Sequence, residues 1–312
     1  MACGDRRSPA PGPGVRLALL GGFDLSVDAA SVALSAGAER LLAFVALCCN
    51  GRVPRALVAG TLWPDAAERC AYASLRSALS RLPAAGREAL EVGPTELRLA
   101  DGVGVDIREA RTLAHRILAP GAVPARAGLG LAAVEDLSAD LLPGWYEDWT
   151  LLEADNWRRL RVHALEALAR AFVGARRFPE AVAAAGAAVR ADPLRESSQA
   201  SLIRAHLAEG NPGEALQDVE RYERRLRAEL GLSAPARLRQ LVKWSGYART
   251  GIPYHLLVDR DPRQPGVTLF AEPNKAEGTY EVLGEWKFGE VVRLPKPFDF
   301  EISTEGWNPW NP

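Results

Sequence analysis

The sequence predicts a mainly α-helical fold with short β-strands near both ends of the chain. Apolar and polar residues alternate from Val15 to Leu34 and again beyond Tyr254, as they do in half-buried strands. Between these stretches the apolar residues follow the helical period. Within the helical part, residues recur at an offset of 34, for example Glu180 and Glu214. These observations indicate a sheet, a set of helical repeats and a second sheet, in that order.

The composition narrows the class of protein. With 312 residues, 48% of them hydrophobic, the chain can form two or three domains with apolar cores. No apolar run reaches the roughly 18 residues that a membrane span needs, and no P-loop motif for nucleotide phosphates occurs. The formal net charge of −1 argues against a nonspecific polycation, although residues 52–87 are locally basic. We expect no catalytic residues, no cofactor and no metal site, and we interpret the cysteines as small buried side chains in a reducing cytoplasm: Cys3, Cys48, Cys49 and Cys70.

The N-terminal part predicts a small sheet followed by helices. Residues 1–14 are rich in Pro and Gly and indicate a disordered tail rather than a signal peptide. The next segment alternates around Gly21-Gly22, and a later helix begins at Pro54, a residue suited to a first helical turn. The predicted strands are 15–19, 23–27 and a short third strand at Val32 and Leu34, and the predicted helices are 39–49 and 54–61.

A third predicted helix, from Ala66 to Leu82, is the most informative feature. Trp63-Pro64-Asp65 breaks the chain before it and caps the new helix. One side of this helix is apolar, and the opposite side carries cations, hydroxyls and one small residue without an acid: Arg69, Ala73, Arg76, Ser77 and Ser80. Such a face suits the major groove of DNA, where arginine binds guanine or phosphate through two hydrogen bonds. The alternative is an ordinary solvated helix surface.

A hairpin is predicted after the third helix. Its strands are Leu90–Val92 and Glu96–Leu99, joined by Gly93-Pro94-Thr95. Sheet, three helices and hairpin in this order predict a winged helix with an N-terminal β-sheet, covering residues 15–105.

Residues 15 to about 241 resemble the Streptomyces antibiotic regulatory protein family, whose members activate transcription. The matching residues lie in both halves of this stretch: Leu19-Leu20-Gly21, Phe23, Leu62-Trp63-Pro64-Asp65, Ser74-Leu75-Arg76, Leu79-Ser80-Arg81-Leu82, Asp140-Leu141-Leu142-Pro143-Gly144 and Asp148-Trp149. The resemblance implies an OmpR-type winged-helix DNA-binding domain at 15–105 and a bacterial transcriptional activation domain, a tetratricopeptide-like helical repeat, at 106–241. It also implies double-stranded DNA and RNA polymerase as partners, with a homodimer or a pair of monomers on direct-repeat-like sites. The target would be a secondary-metabolite gene cluster, and the protein would act in the cytoplasm, at the nucleoid.

The resemblance also implies roles for single residues. The third helix would enter the major groove, with Arg69, Ala73, Arg76, Ser77 and Ser80 facing base edges or nearby phosphates. Arg81 and Arg98 would contact phosphates, which set the register of the protein on the duplex. Pro83 ends the helix earlier than the family pattern does, so we expect one phosphate contact fewer.

In the helical middle, three tryptophans have two interpretations. Trp145, Trp149 and Trp157 suit core packing, and the alternative is a groove for a partner helix or a small effector, because helical repeats usually present one binding face.

The last part of the chain differs in composition from the rest. All lysines follow residue 242, which predicts a module boundary there. A predicted helix at 235–249 precedes strands at 254–259, 267–270, 280–283 and 291–294. Lys243, Tyr247-Ala248, Gly251-Ile252-Pro253 and Leu257-Val258-Asp259, with Gly289-Glu290 and Leu294-Pro295 later, resemble the last half of the restriction-endonuclease-like fold of Uma-type endonucleases.

This partial resemblance predicts a truncated α/β tail at 242–312. The acidic residues that hold magnesium in such nucleases would lie upstream of the matched part, where this chain has helical repeats. We therefore expect no nuclease activity. A magnesium-dependent endonuclease and a repeat-domain interaction scaffold remain the alternatives to a DNA-binding activator.

Overall fold

A computed structural model describes residues 14–48, 51–120, 130–232, 236–260, 265–275 and 278–309. The predicted tail at 1–14 lies outside these residues except for Gly14. Contacts divide the chain into two compact units, Met1–Ala171 with Arg190–Asp192 and Phe172–Val189 with Pro193–Pro312. This division differs from the predicted boundaries at 105/106 and 241/242.

The first unit begins with short strands and helices, continues through a hairpin and ends in longer helices. Its elements are β1 (Val15–Ala18), β2 (Asp24–Val27), β3 (Ala30–Ser31), α1 (Ala36–Cys48), β4 (Val53–Pro54), α2 (Arg55–Leu62), α3 (Glu68–Ser80), α4 (Ala84–Glu88), β5 (Leu90–Val92), β6 (Glu96–Leu99), β7 (Gly104–Val105), α5 (Asp106–Leu118), α6 (Leu131–Ser138) and most of α7 (Asp148–Gly174).

The N-terminal sheet has the strand order β3-β2-β1-β7. Leu17 and Leu25 are opposite each other in β1 and β2, and both are buried, as the alternation predicts. The predicted third strand at residues 32–34 is wrong. Asp28 and Ala29 have φ of 51° and 67° and form a two-residue turn, so pairing resumes at once between Val27 and Ala30.

Helices α1, α2 and α3 pack through their apolar faces. Helix α1 is buried from Leu41 to Leu47, and α3 contributes Ala71, Leu75 and Ala78. The predicted start of the third helix at Ala66 with a cap at Asp65 is wrong, because α3 begins at Glu68.

The ends of α3 explain this difference. Its N-cap residue is Ala67, which has no side chain that could accept a hydrogen bond from the first turn. At its other end α3 stops at Ser80 with Arg81 as C-cap residue, before Pro83 rather than at Leu82. Pro83 then opens α4, a short helix that the sequence did not predict.

The predicted hairpin is confirmed at both strands. Strands β5 and β6 pair antiparallel, with Leu90 opposite Leu99, and β4 adds to the other edge through Val53 and Leu97. Leu97 is buried, so this small sheet packs against the core.

Residues 139–149 contact the N-terminal sheet of the same unit. The N–H of Gly21 donates to the carbonyl of Asp140 at 2.7 Å, and the N–H of Leu142 donates to the carbonyl of Leu19 at 2.9 Å. A β-bridge joins Leu20 and Leu141. The segment between the helices α6 and α7 therefore adds an extended stretch beside the end of β1.

Trp145 and Trp149 contact other aromatic rings, and Trp157 lies in the core. Trp145 stacks on Phe23 with ring centroids 6.1 Å apart, and Trp149 meets Phe44 edge-on at 5.4 Å. Trp157 is 1% exposed, and its Nε1 donates to the carbonyl of Ala139 at 3.0 Å. Core packing is therefore confirmed for Trp157.

The second unit contains the remaining helices and the C-terminal strands. Its elements are the end of α7, most of α8 (Phe178–Ala191), α9 (Glu196–Glu209), α10 (Pro212–Leu230), α11 (Ala236–Thr250), β8 (Tyr254–Asp259), β9 (Gly266–Asn274), β10 (Thr279–Lys287), β11 (Val291–Leu294) and β12 (Phe300–Ser303).

The 34-residue repeat corresponds to helix pairs with buried equivalent positions. Ala181 of α8 and Ala215 of α10 are both fully buried. Helices α9, α10 and α11 share one apolar cluster that includes Ile203, Val219 and Leu238. The compositional boundary at 242 therefore falls inside α11, a helix that packs into the repeat core.

The C-terminal strands form two separate small sheets. Antiparallel strands β10-β9-β8 make one sheet, and β11 pairs with β12 in the other. The predicted strands at 254–259 and 291–294 are confirmed, whereas β9 and β10 are longer than predicted and β12 was not predicted.

Candidate DNA-binding surface

One stripe of α3 is exposed along the whole helix. Arg69, Ala73, Arg76 and Ser80 are exposed and follow one another at steps of four, three and four residues, which places them in one line on a helix. Ser77 is half-buried beside this stripe. The structure therefore places four of the five predicted residues on the exposed face of α3 and Ser77 at its edge, and their contact with DNA stays a prediction.

The arginines of this stripe are available for an external anion. Among the ion pairs of the described residues, none involves Arg69, Arg76 or Arg81. Ala73 lies between the two stripe arginines, so a ligand can approach the helix backbone there. The surface can therefore offer two guanidinium groups to one duplex groove.

The C-terminal end of α3 gathers further polar groups. Ser80 Oγ donates to the carbonyl of Ser77 at 2.9 Å, which occupies the only hydroxyl proton of Ser80. The Nη2 of Arg87, which belongs to α4, donates to the carbonyl of Ser80 at 3.3 Å. Sequence reasoning assigned no role to Arg87, because the short helix that carries it was not predicted.

Arg98 differs from the other candidate arginines. Its Nε donates to Glu91 Oε2 at 2.6 Å, and its Nη1 donates to Asp101 Oδ1 at 3.1 Å. The hydrogen bond that Arg98 donates to Glu91, ahead of the charges of both carboxylates, raises the pKa of Arg98. Contact with phosphate would require this guanidinium to exchange carboxylate partners, so the role predicted for Arg98 stays a prediction.

The tip of the hairpin is attached to α2. Arg55 donates from its backbone N–H to the carbonyl of Thr95 at 2.8 Å, and from Nη1 to the carbonyls of Gly93 and Pro94 at 3.4 Å each. Sequence reasoning counted Arg55 only as part of a basic segment. Its role in the structure is to position the wing, while Pro94 and Thr95 remain exposed at the tip.

Asp106 links the N-terminal sheet to α5. Its carboxylate accepts the N–H groups of Leu19 at 2.9 Å, Leu20 at 3.0 Å and Ile107 at 2.6 Å. Desolvation by burial raises the pKa of Asp106 and outweighs these hydrogen bonds. The helix that follows the wing is thereby joined to the strand that precedes the helices.

Two kinds of feature are absent from the described residues. No group of three His, Cys, Asp or Glu side chains among them is placed to hold a metal ion. In the same part of the chain, no helix is both long and apolar enough to cross a bilayer. The interpretation of the cysteines as buried is wrong for Cys48 and Cys70, which are exposed because both lie on outward-facing helix positions. Cys3 and Cys49 lie outside the described residues.

Comparison with known proteins identifies a class for the helical part. Residues 105–243 match the family model described as bacterial transcriptional activator domain. This range agrees closely with the repeat domain expected at 106–241 and includes the first half of α11.

A solved structure is similar over a larger part of the chain. It is Mycobacterium tuberculosis EmbR in complex with a low affinity phosphopeptide, with a TM-score of 0.55 and 22% sequence identity. The similarity covers 73% of this chain and 64% of the EmbR chain, so this chain spans less than two thirds of that protein. At this identity the similarity is one of fold. A search of curated proteins gives no match.

These findings support a DNA-binding regulator of transcription activation. They give no support to the resemblance between residues 242–312 and Uma-type endonucleases. The activator-domain match extends to residue 243, into a helix whose Leu238 is part of the repeat core.

Proposed function

We propose that this protein binds a specific double-stranded DNA sequence through α3 and activates transcription of a secondary-metabolite gene cluster by recruiting RNA polymerase. The observation that carries the proposal is the stripe of Arg69, Ala73, Arg76 and Ser80, exposed on the third helix of a winged-helix arrangement and free of ion pairs with described residues. The protein would act in the cytoplasm, at the nucleoid.

The stripe suits base readout, and the flanking groups suit phosphate contacts. Arg69 and Arg76 are two helical turns apart, so both can reach base edges within one groove. Arg81 lies at the helix end, where the phosphate backbone passes on either side of the groove. Ser77 and Ser80 add hydroxyl groups, Ser80 mainly as an acceptor because its proton is used inside the helix.

A selection experiment tests the sequence specificity. The full chain is incubated with a pool of random duplexes, and the bound sequences are amplified and read over several rounds. We expect one recurring motif for the wild type and none for the double variant Arg69→Ala/Arg76→Ala. The matched control is Arg116→Ala, which removes an exposed arginine from α5. The proposal fails if the double variant selects the same motif as the wild type.

The mode of assembly on DNA follows from the same experiment. A selected motif that contains two similar half-sites in the same orientation supports a pair of protein copies on a direct repeat. A titration of wild-type protein with duplexes carrying one or both half-sites then measures the number of bound copies by sedimentation. A scaffold function is favoured instead if no salt-dependent DNA binding occurs at all.

A further inference from the structure

A cavity of about 560 Å³ lies within the second unit of the chain. Helices α9 and α11, strands β9 and β10 and the residues from Val173 to Phe178 form its walls. This volume is within the range of about 300–1,000 Å³ that is typical of small-molecule sites.

Aromatic rings form the apolar wall of this cavity. The rings of Trp244 and Phe270 are 4.9 Å apart, and those of Phe270 and Tyr280 are 6.4 Å apart. All three residues line the cavity together with Leu207 and Leu241. Three aromatic rings in one wall favour a planar partner that stacks against them.

Hydrogen bonds outside the cavity fix two of these rings. Trp244 Nε1 donates to His255 Nε2 at 2.8 Å, and the hydroxyl of Tyr280 donates to the carbonyl of Ile252 at 2.8 Å. Desolvation lowers the pKa of His255, which keeps its ring neutral and able to accept the tryptophan proton. The polar atoms of these two rings are thus satisfied, and the ring faces remain for a ligand.

Ser245 is a buried residue of the wall whose hydroxyl lacks a partner among the described residues. Its side chain lines the cavity from α11 and is 4% exposed, and its Oγ has no hydrogen-bond partner among the described residues. A serine inside a helix ordinarily donates to a carbonyl one turn earlier. A buried hydroxyl without a partner indicates that a ligand atom completes its hydrogen bonding.

The charged side chains among the described residues that line the cavity are both arginines. Arg176 and Arg204 line it, and no acidic side chain is among the described residues that do. The guanidinium carbon of Arg176 lies 5.9 Å from the centre of the Phe178 ring, which also lines the cavity. Charge complementarity therefore selects an anionic ligand.

We propose that this cavity binds a planar aromatic carboxylate of one or two fused rings. The ring system stacks against Trp244, Phe270 and Tyr280, a polar substituent hydrogen-bonds to Ser245 Oγ, and the carboxylate faces Arg176 and Arg204. The proposal goes beyond DNA binding and does not depend on it, because every residue that it uses lies in the second unit.

Calorimetric titration of the full chain with naphthoate tests the proposal. We expect saturable binding with one site, and binding weaker by about tenfold or more for two probes that each lack one feature: neutral naphthalenemethanol and non-planar cyclohexanecarboxylate. Absence of naphthoate binding up to about 1 mM overturns the proposal, and so does equal affinity for all three probes.

Variants locate the binding site. Ala208→Phe adds a ring to the cavity wall and should weaken naphthoate binding by about tenfold or more. The matched control Leu216→Phe adds a ring to the exposed surface of α10 and should leave affinity unchanged. If Ala208→Phe fails to fold, as judged by circular dichroism, the exposed pair Arg176→Gln/Arg204→Gln replaces it. That pair should weaken naphthoate binding and spare naphthalenemethanol, and unchanged naphthoate binding in the folded variant overturns the proposal.

Discussion

Replacing Arg76 with alanine should weaken binding to the selected DNA site much more than replacing Arg98. Arg76 is exposed in the middle of the α3 stripe, without an ion pair among the described residues. An arginine that reads a base edge contributes about 1–3 kcal/mol, which corresponds to a loss of about 5- to 160-fold in affinity. The loss should be specific to the selected site and smaller on random duplex.

Arg98 provides the contrast because its charge is already compensated. Glu91 and Asp101 both hold its guanidinium, so Arg98 makes no direct phosphate contact while these ion pairs persist. A true phosphate contact contributes about 0.9 to the slope of log affinity against log salt, or about 3.5-fold between 50 and 200 mM. For Arg98→Ala we expect a change of less than about twofold and a slope close to that of the wild type.

Fluorescence anisotropy with a labelled duplex, repeated over a salt series, measures both quantities. Arg116→Ala again serves as the control for loss of one exposed arginine. If Arg76→Ala binds the selected site as tightly as the wild type, the stripe does not read bases and the reasoning is refuted. If Arg98→Ala lowers the salt slope by about 0.9, Arg98 exchanges its carboxylates for phosphate and the ion pairs seen here do not protect it.

Three further predictions concern stability. Trp157→Phe should cost about 1–3 kcal/mol because it removes the hydrogen bond to the carbonyl of Ala139 and replaces a ring that is 1% exposed with a smaller one, and an unchanged urea midpoint would contradict this. Gly210→Ala should cost about 1–2 kcal/mol because Gly210 ends α9 at φ 97°, a backbone conformation that alanine disfavours. The loss should lower the Tm, and an unchanged Tm would show that the helix end rearranges freely. The hydrogen bond from Arg239 lowers the pKa of Glu223 below its ordinary 4.5, so its stabilisation is present above pH 4.5 and is lost as pH falls through the folded-state pKa. Wild type should therefore lose stability relative to Glu223→Gln in acid titrations, and parallel pH profiles would argue against the pair.

Local sequence patterns were sufficient to predict the elements that form from neighbouring residues, such as hairpins and amphipathic helices. The hairpin strands β5 and β6 were predicted at their observed ends, since Gly93-Pro94-Thr95 supplies a turn between alternating residues. Strands β4 and β7 were missed because each has two residues and exists only through a distant partner. Val53 pairs with Leu97 and Val105 pairs with Leu17. Strands of two residues are too short to show the alternation of apolar and polar residues that predicts a strand.

For the candidate surface too, features that depend on local sequence were predicted and features that depend on distant partners were not. The open face of α3 depends on helical period alone, so the sequence was enough to identify it. The partners of Arg98 depend on pairing across the hairpin, where Glu91 is opposite Arg98. The predicted strand ends would place Val92 opposite Glu96, one residue out of the observed register in which Val92 is opposite Leu97, so they did not reveal the ion pair. Arg87 could not be assigned in this way, because α4 follows a proline and has five residues.

The attachment of residues 139–149 beside β1 has a geometric consequence for gene regulation. The winged helix and the first helices of the activator domain belong to one compact unit, joined by backbone hydrogen bonds from Gly21 and Leu142 and by the stacking of Trp145 on Phe23. Under the proposed binding through α3, this attachment fixes the side of the duplex from which those helices project. Insertion of about 5 base pairs between the bound site and a promoter turns these helices to the opposite side of the duplex. Insertion of about 10 base pairs, one full turn, returns the helices to the original side. The rotational phase of the site, as well as its sequence, would then be under selection.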